Sequence, residues 1–488
     1  MSLRTLVSPT RAGMGLVSVL MLASSSSCTI NPLTGKRELA LIPESQEIEM
    51  GKQAAEEVGT TMGLYENAAL SQYVDALGRQ LAAKSERPDL PWSFRVVDDP
   101  VVNAFALPGG PIHVTRGLLA HLTSEAQLAS VMGHEIGHVT ARHAVRQMSK
   151  ATLAQAGLAI GMAVSKTVAG LGQLGMGGLN LLFLSYGRDA EREADDLGFR
   201  YTVATGFEVR SMPGVFAVLK RVSESGSGDR LPDWLSTHPS PDERIERITQ
   251  EIAEKNPPAG KTEVESFLAV TDGLVYGIDP RHGYFEGDTF LHPEMKFQLK
   301  TPPGWKKQNL AQAVVAQSPD GKGGFQMTLA KGATPAEALQ QFTSGNQAVS
   351  NVEKVDLALA EPGNAARFAA KTDDGEVRGL VAFVAHQGKT IQLLGLAPAE
   401  SFAALEPAIR ATQSSFGPLT DPAALAVQPA HIKLVTVPRA MSFAEFAASY
   451  PALPADKLAI VNQLQTASKL SAGQKLKVIE GKVRSDGT

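Results

Sequence analysis

The pentapeptide His134-Glu135-Ile136-Gly137-His138 constrains this chain more than any other stretch of it. Residues four apart share one face of a helix, so a helix here aims both imidazoles at one point, with Glu135 beside them. Imidazole nitrogens suit zinc in tetrahedral geometry, and a catalytic zinc site leaves one position open for water. Zinc lowers the pKa of that water toward neutrality, and an adjacent carboxylate can take its proton. The plain alternative is a chance match. Against it, Ser124 and Gln127 stand in capping-box spacing, which predicts a helix from about Thr123. Leu128, Val131, Met132 and Ile136 would form its broad buried face, and Gly133 and Gly137 would let a neighbour approach beside the imidazoles.

A metal needs a third protein ligand. Downstream, Glu191-Arg192-Glu193-Ala194-Asp195 lies in a helical stretch whose apolar stripe is Ala190, Ala194, Leu197 and Tyr201. Glu191 and Glu193 both flank that stripe, so periodicity alone cannot choose between them. Further on comes Ser236-Thr237-His238-Pro239-Ser240 with Arg244, whose bland reading is a surface loop ahead of a helix. His113, His121 and His143 read as structural or surface residues.

Helical spacing also marks residues 44 to 84, through Ile48, Ala55, Val58, Leu70, Val74, Leu77 and Leu81. Phe94 to Val97 and Pro111 to Thr115 read as short strands around the turn Pro108-Gly109-Gly110. The stretch from Ala151 to Tyr186 is apolar, but Gly170, Gly172, Gly175, Gly177 and Gly178 interrupt it. Glycine costs about 1 kcal/mol per residue inside a helix, so a helix plus a mobile glycine-rich lid is preferred to a membrane span.

Taken together, these residues resemble the gluzincin zinc metalloproteases of the HtpX and CAAX prenyl endopeptidase family, closest in style to the BepA-like periplasmic lipoprotein proteases. HEIGH followed by a helix carrying E-x-x-x-D is that pattern, supported by Asn31-Pro32-Leu33-Thr34-Gly35 and Asn103-Ala104-Phe105-Ala106-Leu107-Pro108-Gly109-Gly110. The resemblance spans about Asn31 to Glu251. It implies that His134, His138 and Glu191 hold one zinc ion, that Glu135 is general base, and that Asp195 orients a ligating histidine. Glu193 is then left as a solvated helix charge. It implies that Asn103, Ala104 and Phe105 form an edge strand that pairs with extended substrate. It also places His238 and Arg244 in the cleft. There they would stabilise an oxyanion, or His238 would occupy the open zinc position at rest.

At 488 residues the chain is expected to hold about three domains. The fold class expected is multidomain α+β: a mainly helical zincin domain with a small sheet at 28–255, a linker at 256–290, and a small α/β domain at 291–420. That domain opens with Phe297-Gln298-Leu299 and Pro303-Gly304-Trp305, resembling PsbP-type domains. Residues 431–482 resemble a divergent LysM module of βααβ order, which implies binding to peptidoglycan. Its Ala440-Met441-Ser442 replaces the usual Gly-Asp-Thr, so a fold used only for packing or docking is an equal reading.

The first 27 residues read as a signal peptide, with Arg4 and Arg11 ahead of the apolar run Leu16 to Ala23. Cys28, the one cysteine, follows it and resembles a lipobox acylation site, although Ser25 stands where Leu is usual; a plain cleaved signal is the alternative. With Thr29 next, the resemblance implies a lipid anchor in the outer membrane, facing a bacterial periplasm. With 46 basic and 50 acidic residues and no basic cluster, nothing points to nucleic acid. The expected function is cleavage of misfolded or unassembled envelope proteins. The competing class is a periplasmic chaperone or cell-wall-binding protein with a latched or non-catalytic zinc site.

Overall fold

The computed structural model describes residues 28–30, 37–39, 41–161, 185–225, 234–310, 312–332, 334–344, 348–372 and 375–484. The expected signal peptide at 1–27 lies outside the described residues, as do residues 162–184 of the 151–186 stretch expected to form a helix plus a glycine-rich lid. Among the described residues, no helix is long and apolar enough to cross a membrane.

Strands β1 (Cys28–Ile30) and β2 (Arg37–Leu39) pair antiparallel. The helical stretch that follows is two helices, α1 (Glu44–Thr61) and α2 (Ala68–Ala82), separated by a turn at Gly63 with φ of 80°. Asn67 starts α2 by accepting a hydrogen bond from the Leu70 amide at 3.0 Å, satisfying one of the amides a helix start leaves bare. Strands β3 (Ser93–Val97), β4 (Ala104–Ala106) and β5 (Pro111–Thr115) form a sheet in the order β3-β5-β4, with β3 parallel and β4 antiparallel to β5. The Pro108-Gly109-Gly110 turn joins β4 to β5. Gly109 has φ of 74°, and a Cβ there would lie 2.5 Å from the Ile48 backbone, so this corner needs glycine.

After the short helix α3 (Arg116–His121) comes α4 (Glu125–Thr140), which carries the pentapeptide. Its cap follows the sequence: Ser124 Oγ accepts from the Gln127 amide at 3.3 Å, and Gln127 Oε1 accepts from the Thr123 amide at 2.8 Å. Its burial exceeds expectation. Every residue from Ala126 to Thr140 is buried, because α2, the sheet and two later helices enclose it. Buried polar groups must find partners, so His134, Glu135 and His138 depend on what those neighbours offer.

Helix α5 (His143–Gly161) begins directly after Arg142, whose φ of 55° reverses the chain. Arg142 donates to Glu47 Oε2 at 2.9 Å and to the Ile42 carbonyl at 2.8 Å, tying that turn to α1. Helix α6 (Arg188–Ala204) crosses α4 at glycines. A Cβ on Gly137 would lie 2.9 Å from the Ala194 carbonyl oxygen, and one on Gly198 would lie 2.8 Å from the His134 amide. Helices α7 (Met212–Glu224), α8 (Trp234–Thr237) and α9 (Pro241–Lys255) complete the domain.

Residues 256–290, expected as a linker, are structured instead. Helix α10 (Val264–Thr271) buries Phe267 and Leu268, and strand β6 (Val275–Tyr276) joins a sheet with the C-terminal module. Arg116, itself buried, donates to the carbonyls of Val275 and Gly277 at 2.9 and 2.7 Å. Those apolar side chains and bound carbonyls are what a free linker lacks.

The 291–420 region holds a seven-stranded sheet and two helices, Pro335–Ser344 and Ala399–Ser414. All of its strand pairs are antiparallel. It is therefore α+β, not the α/β expected, since neighbouring strands that run antiparallel do not require the crossover helices of a parallel sheet. Its core is separate, built on Phe297, Leu380, Leu393 and Phe416.

The C-terminal segment runs strand Ala430–Thr436, helices Phe443–Ala448 and Ala455–Val461, and strand Lys475–Glu480, with the short paired strands Met441–Ser442 and Lys469–Leu470 flanking the helices. Phe443, Leu458 and Val478 share one continuous core with Leu118, Leu122 and Leu128 of the first domain. Gln463 exchanges hydrogen bonds with Gln127 at 2.6 and 2.8 Å, and Lys477 Nζ donates to the Ala120 and Leu122 carbonyls at 2.5 and 2.7 Å.

Candidate metal centre

One turn of α4 separates His134 from His138, and their Nε2 atoms lie 3.0 Å apart. From α6, Glu191 brings Oε1 to 3.5 Å from His138 Nε2 and Oε2 to 3.6 Å from His134 Nε2. His238, just after α8, places Nδ1 2.9 Å from Glu191 Oε1 and 3.3 Å from His134 Nε2. Four ligands bound at ~2.0–2.1 Å around a tetrahedral zinc would stand about 3.3–3.4 Å from one another. The observed spacings bracket that value. Three imidazoles and a carboxylate, all buried with ligand atoms within 4.8 Å of each other, are a donor set that fits zinc.

The charge states agree with ligation. Burial, reinforced by Arg244, lowers the His134 pKa to about 4, and burial with the neighbouring His134 pulls His138 well below the usual histidine value. Both are then neutral, the form that binds metal. Burial acts to raise Glu191, but His238, His134 and Arg244 outweigh it and keep the carboxylate ionised. Glu135 is pushed up to about 7 by burial, against the pull of His238 and of the hydrogen bond that Trp234 Nε1 donates at 3.2 Å. A carboxyl poised near neutrality can both accept and return a proton.

Asp195 stands behind the first ligand, with Oδ1 3.0 Å from His134 Nδ1. Arg244 donates to both Asp195 oxygens at 3.0 and 2.6 Å, and its Nη1 lies 3.0 Å from Glu191 Oε2. The same guanidinium lies against both Phe216 and Trp234, 4.2 and 4.5 Å from their ring centres. Its Nε and Nη2 are engaged by Asp195 and its Nη1 is ion-paired with Glu191, which makes it a brace for the ligand helices. His238 stacks on Trp234 with centroids 4.5 Å apart and packs into the donor set.

Other residues differ from expectation. Glu193, read as a solvated charge, accepts from His143 Nε2 at 3.0 Å and from Arg146 at 2.9 Å, and these contacts draw its pKa down to about 2. His143, read as structural or surface, is buried and meets His138 Nδ1 through its own Nδ1 at 2.8 Å. On an uninterrupted helix a residue five positions on would point elsewhere; the reversal at Arg142 turns it back. Trp234 and Tyr186, which stacks on His138 at 4.2 Å, carried no spacing signal that could have marked them. His113 stacks on Phe105, and His121 bonds the Gly117 carbonyl.

Asn103, Ala104 and Phe105 lie at the start of β4, an edge of the small sheet. Asn103 exchanges backbone and side-chain bonds with Thr115 at 2.9 and 3.0 Å, and the Val102 carbonyl accepts from the Trp234 amide at 3.3 Å. Cys28 begins β1.

Residues 68–252 match the family model described as Peptidase family M48. The chain is 36% identical over 197 residues to a putative beta-barrel assembly-enhancing protease of Vibrio cholerae, a match covering 39% of this chain and 40% of the relative. It is 26% identical over 370 residues to the beta-barrel assembly-enhancing protease of Escherichia coli, covering 74% of this chain and 69% of that one. It is 36% identical over 200 residues to the mitochondrial metalloendopeptidase OMA1 of Arabidopsis thaliana, covering 38% of each.

Proposed function

We propose that this chain is a zinc-dependent endopeptidase whose metal is held by His134, His138 and Glu191. The observation that carries the reading is the buried four-membered donor set with Glu135 beside it. Zinc there would supply Lewis acidity, making a water molecule acidic near neutral pH and polarising the scissile carbonyl. Glu135 takes the proton of the attacking water and passes it to the departing amine, while Trp234 Nε1 fixes Glu135 Oε1 in place. Asp195 keeps the proton of His134 on Nδ1, so that Nε2 is free to ligate.

His238 fits the resting latch better than the oxyanion donor, because Nδ1 already stands within the donor set at 2.9 and 3.3 Å. Replacing it separates the roles. His238→Ala raises basal peptide cleavage if His238 is a latch and abolishes it if the oxyanion depends on it. The edge strand β4 supports capture of extended, unfolded chain by strand addition.

The substrates proposed are misfolded or unassembled cell-envelope proteins, in keeping with the names of the bacterial relatives. An acyl anchor at Cys28, placement at the periplasmic face of the outer membrane, and peptidoglycan contact through 431–482 belong to the same proposal. The second reading, a chaperone or wall-binding protein with a latched site, is favoured by the position of His238 alone. Glu135→Gln decides between them: casein degradation should fall by about 10²–10⁴-fold, and equal degradation by both forms would remove the protease reading.

A further inference from the structure

His134 and His138 ligate from the same helix, yet their far ring nitrogens are supported differently. His134 Nδ1 meets the Asp195 carboxylate directly, at 3.0 Å. His138 Nδ1 meets a second imidazole, that of His143, at 2.8 Å, and His143 Nε2 meets Glu193 Oε2 at 3.0 Å. We propose that His143 and Glu193 are positioning residues for the metal, forming a carboxylate–imidazole relay that fixes the ring and proton of His138. The proposal rests on the zinc reading of the site.

The protons can be accounted for along the whole chain of contacts. Nε2 of His138 faces His134 and Glu191, so it is the ligating atom and the ring proton belongs on Nδ1. That proton is donated to Nδ1 of His143, which leaves His143 protonated on Nε2, the atom that faces Glu193. Each contact then has one donor and one acceptor with both rings neutral. Arg146, 2.9 Å from the same Glu193 oxygen, anchors the carboxylate. Two independent features hold the relay in register. Arg142, in the left-handed region at φ of 55° and tied to Glu47, turns His143 back toward the centre. Helix α6 brings Glu193 from the same turn that supplies Glu191. The partners that orient metal-ligating histidines typically matter 10–100-fold in metal affinity.

The test measures Zn2+ affinity of the full-length protein by competition with a chromophoric chelator, alongside the unfolding temperature of the metal-free form. His143→Ala should weaken Zn2+ binding about 10–100-fold. Glu193→Ala, at a partly exposed position, should weaken it in the same direction. Glu193→Gln, whose amide oxygen still accepts from Nε2–H, should recover most of the loss. The double variant should bind no worse than His143→Ala, because Glu193 acts through His143. Wild-type affinity in His143→Ala, or losses that add in the double variant, would overturn the relay. So would affinity that falls only in step with metal-free unfolding, without rescue by glutamine. His134→Ala separates the two readings. If wild type binds no Zn2+, or binds it as well without His134, the metal reading fails too. If only His143→Ala leaves binding unchanged, the relay alone fails.

Discussion

Enclosed by α4, Trp234 and His238, the Glu135 carboxyl sits where ionisation is expensive, and burial lifts its pKa to about 7. That environment separates it from Glu191, a carboxyl on the other side of the His238 ring that His238, His134 and Arg244 keep ionised against its burial. Two acids of the same type thus take two roles, set by which charges each one faces. Glu135→Gln preserves shape and the Trp234 contact but removes the proton acceptor. Turnover of an unfolded protein should fall by about 10²–10⁴-fold, while Zn2+ affinity measured by chelator competition stays near wild type. The spacing of His134, Glu135 and His138 was legible in the sequence because helical geometry alone aligns them. Trp234, Tyr186 and His143 were not. Their contacts depend on a reversal at one backbone dihedral and on loops whose course has no period.

Helix α4 shows how an element can be read correctly and still be underestimated. Its start was set by Ser124 and Gln127, and the structure forms that cap. Its apolar positions suggested a single buried face, yet all its residues from Ala126 to Thr140 are enclosed. The polar side chains on the supposed outer face are buried because α2, the small sheet, α6 and α7 all pack against the helix. The glycines are what permit the covering, as Gly137 and Gly198 let the α4 and α6 backbones touch. Gly137→Ala should force the helices apart, destabilising the domain by about 1–3 kcal/mol in urea unfolding, and should weaken Zn2+ binding because Glu191 recedes with α6. A change in stability alone, with Zn2+ affinity retained, would mean that the crossing does not set the ligand spacing.

For the whole molecule, the sequence suggested separate units where the structure joins two of them. Residues 256–290, expected as a linker, are bound into the shared core by Phe267, Leu274 and β6. Lys477 from the last strand is fully buried against the end of α3, and burial lowers its pKa from 10.5 to about 7. The folded protein therefore releases this proton near pH 7, whereas the unfolded chain holds it until about 10.5. Between those values the unfolded state binds more protons, so stability should rise with pH and level off above them. Urea midpoints measured from pH 7 to 10 should show that slope, and Lys477→Met should flatten it. An unchanged slope would mean that the ammonium is not enclosed at this junction. None of this was legible beforehand, since a lysine in an amphipathic strand reads as solvent-facing until its partner surface is known.

Between Trp234 and Arg244 the chain carries three side chains that act on three different groups. Trp234 holds Glu135, His238 stands among the ligands, and Arg244 braces Asp195 and Glu191. Stacking joins all three, with the Trp234 ring against His238 on one hand and the Arg244 guanidinium on the other. Lifting this stretch would release the fourth ligand position, free the proton acceptor and loosen the ligand helix in a single event. Such a cluster ties three roles to one short stretch of chain, so that a displacement of Trp234 disturbs the contacts of His238 and Arg244 as well.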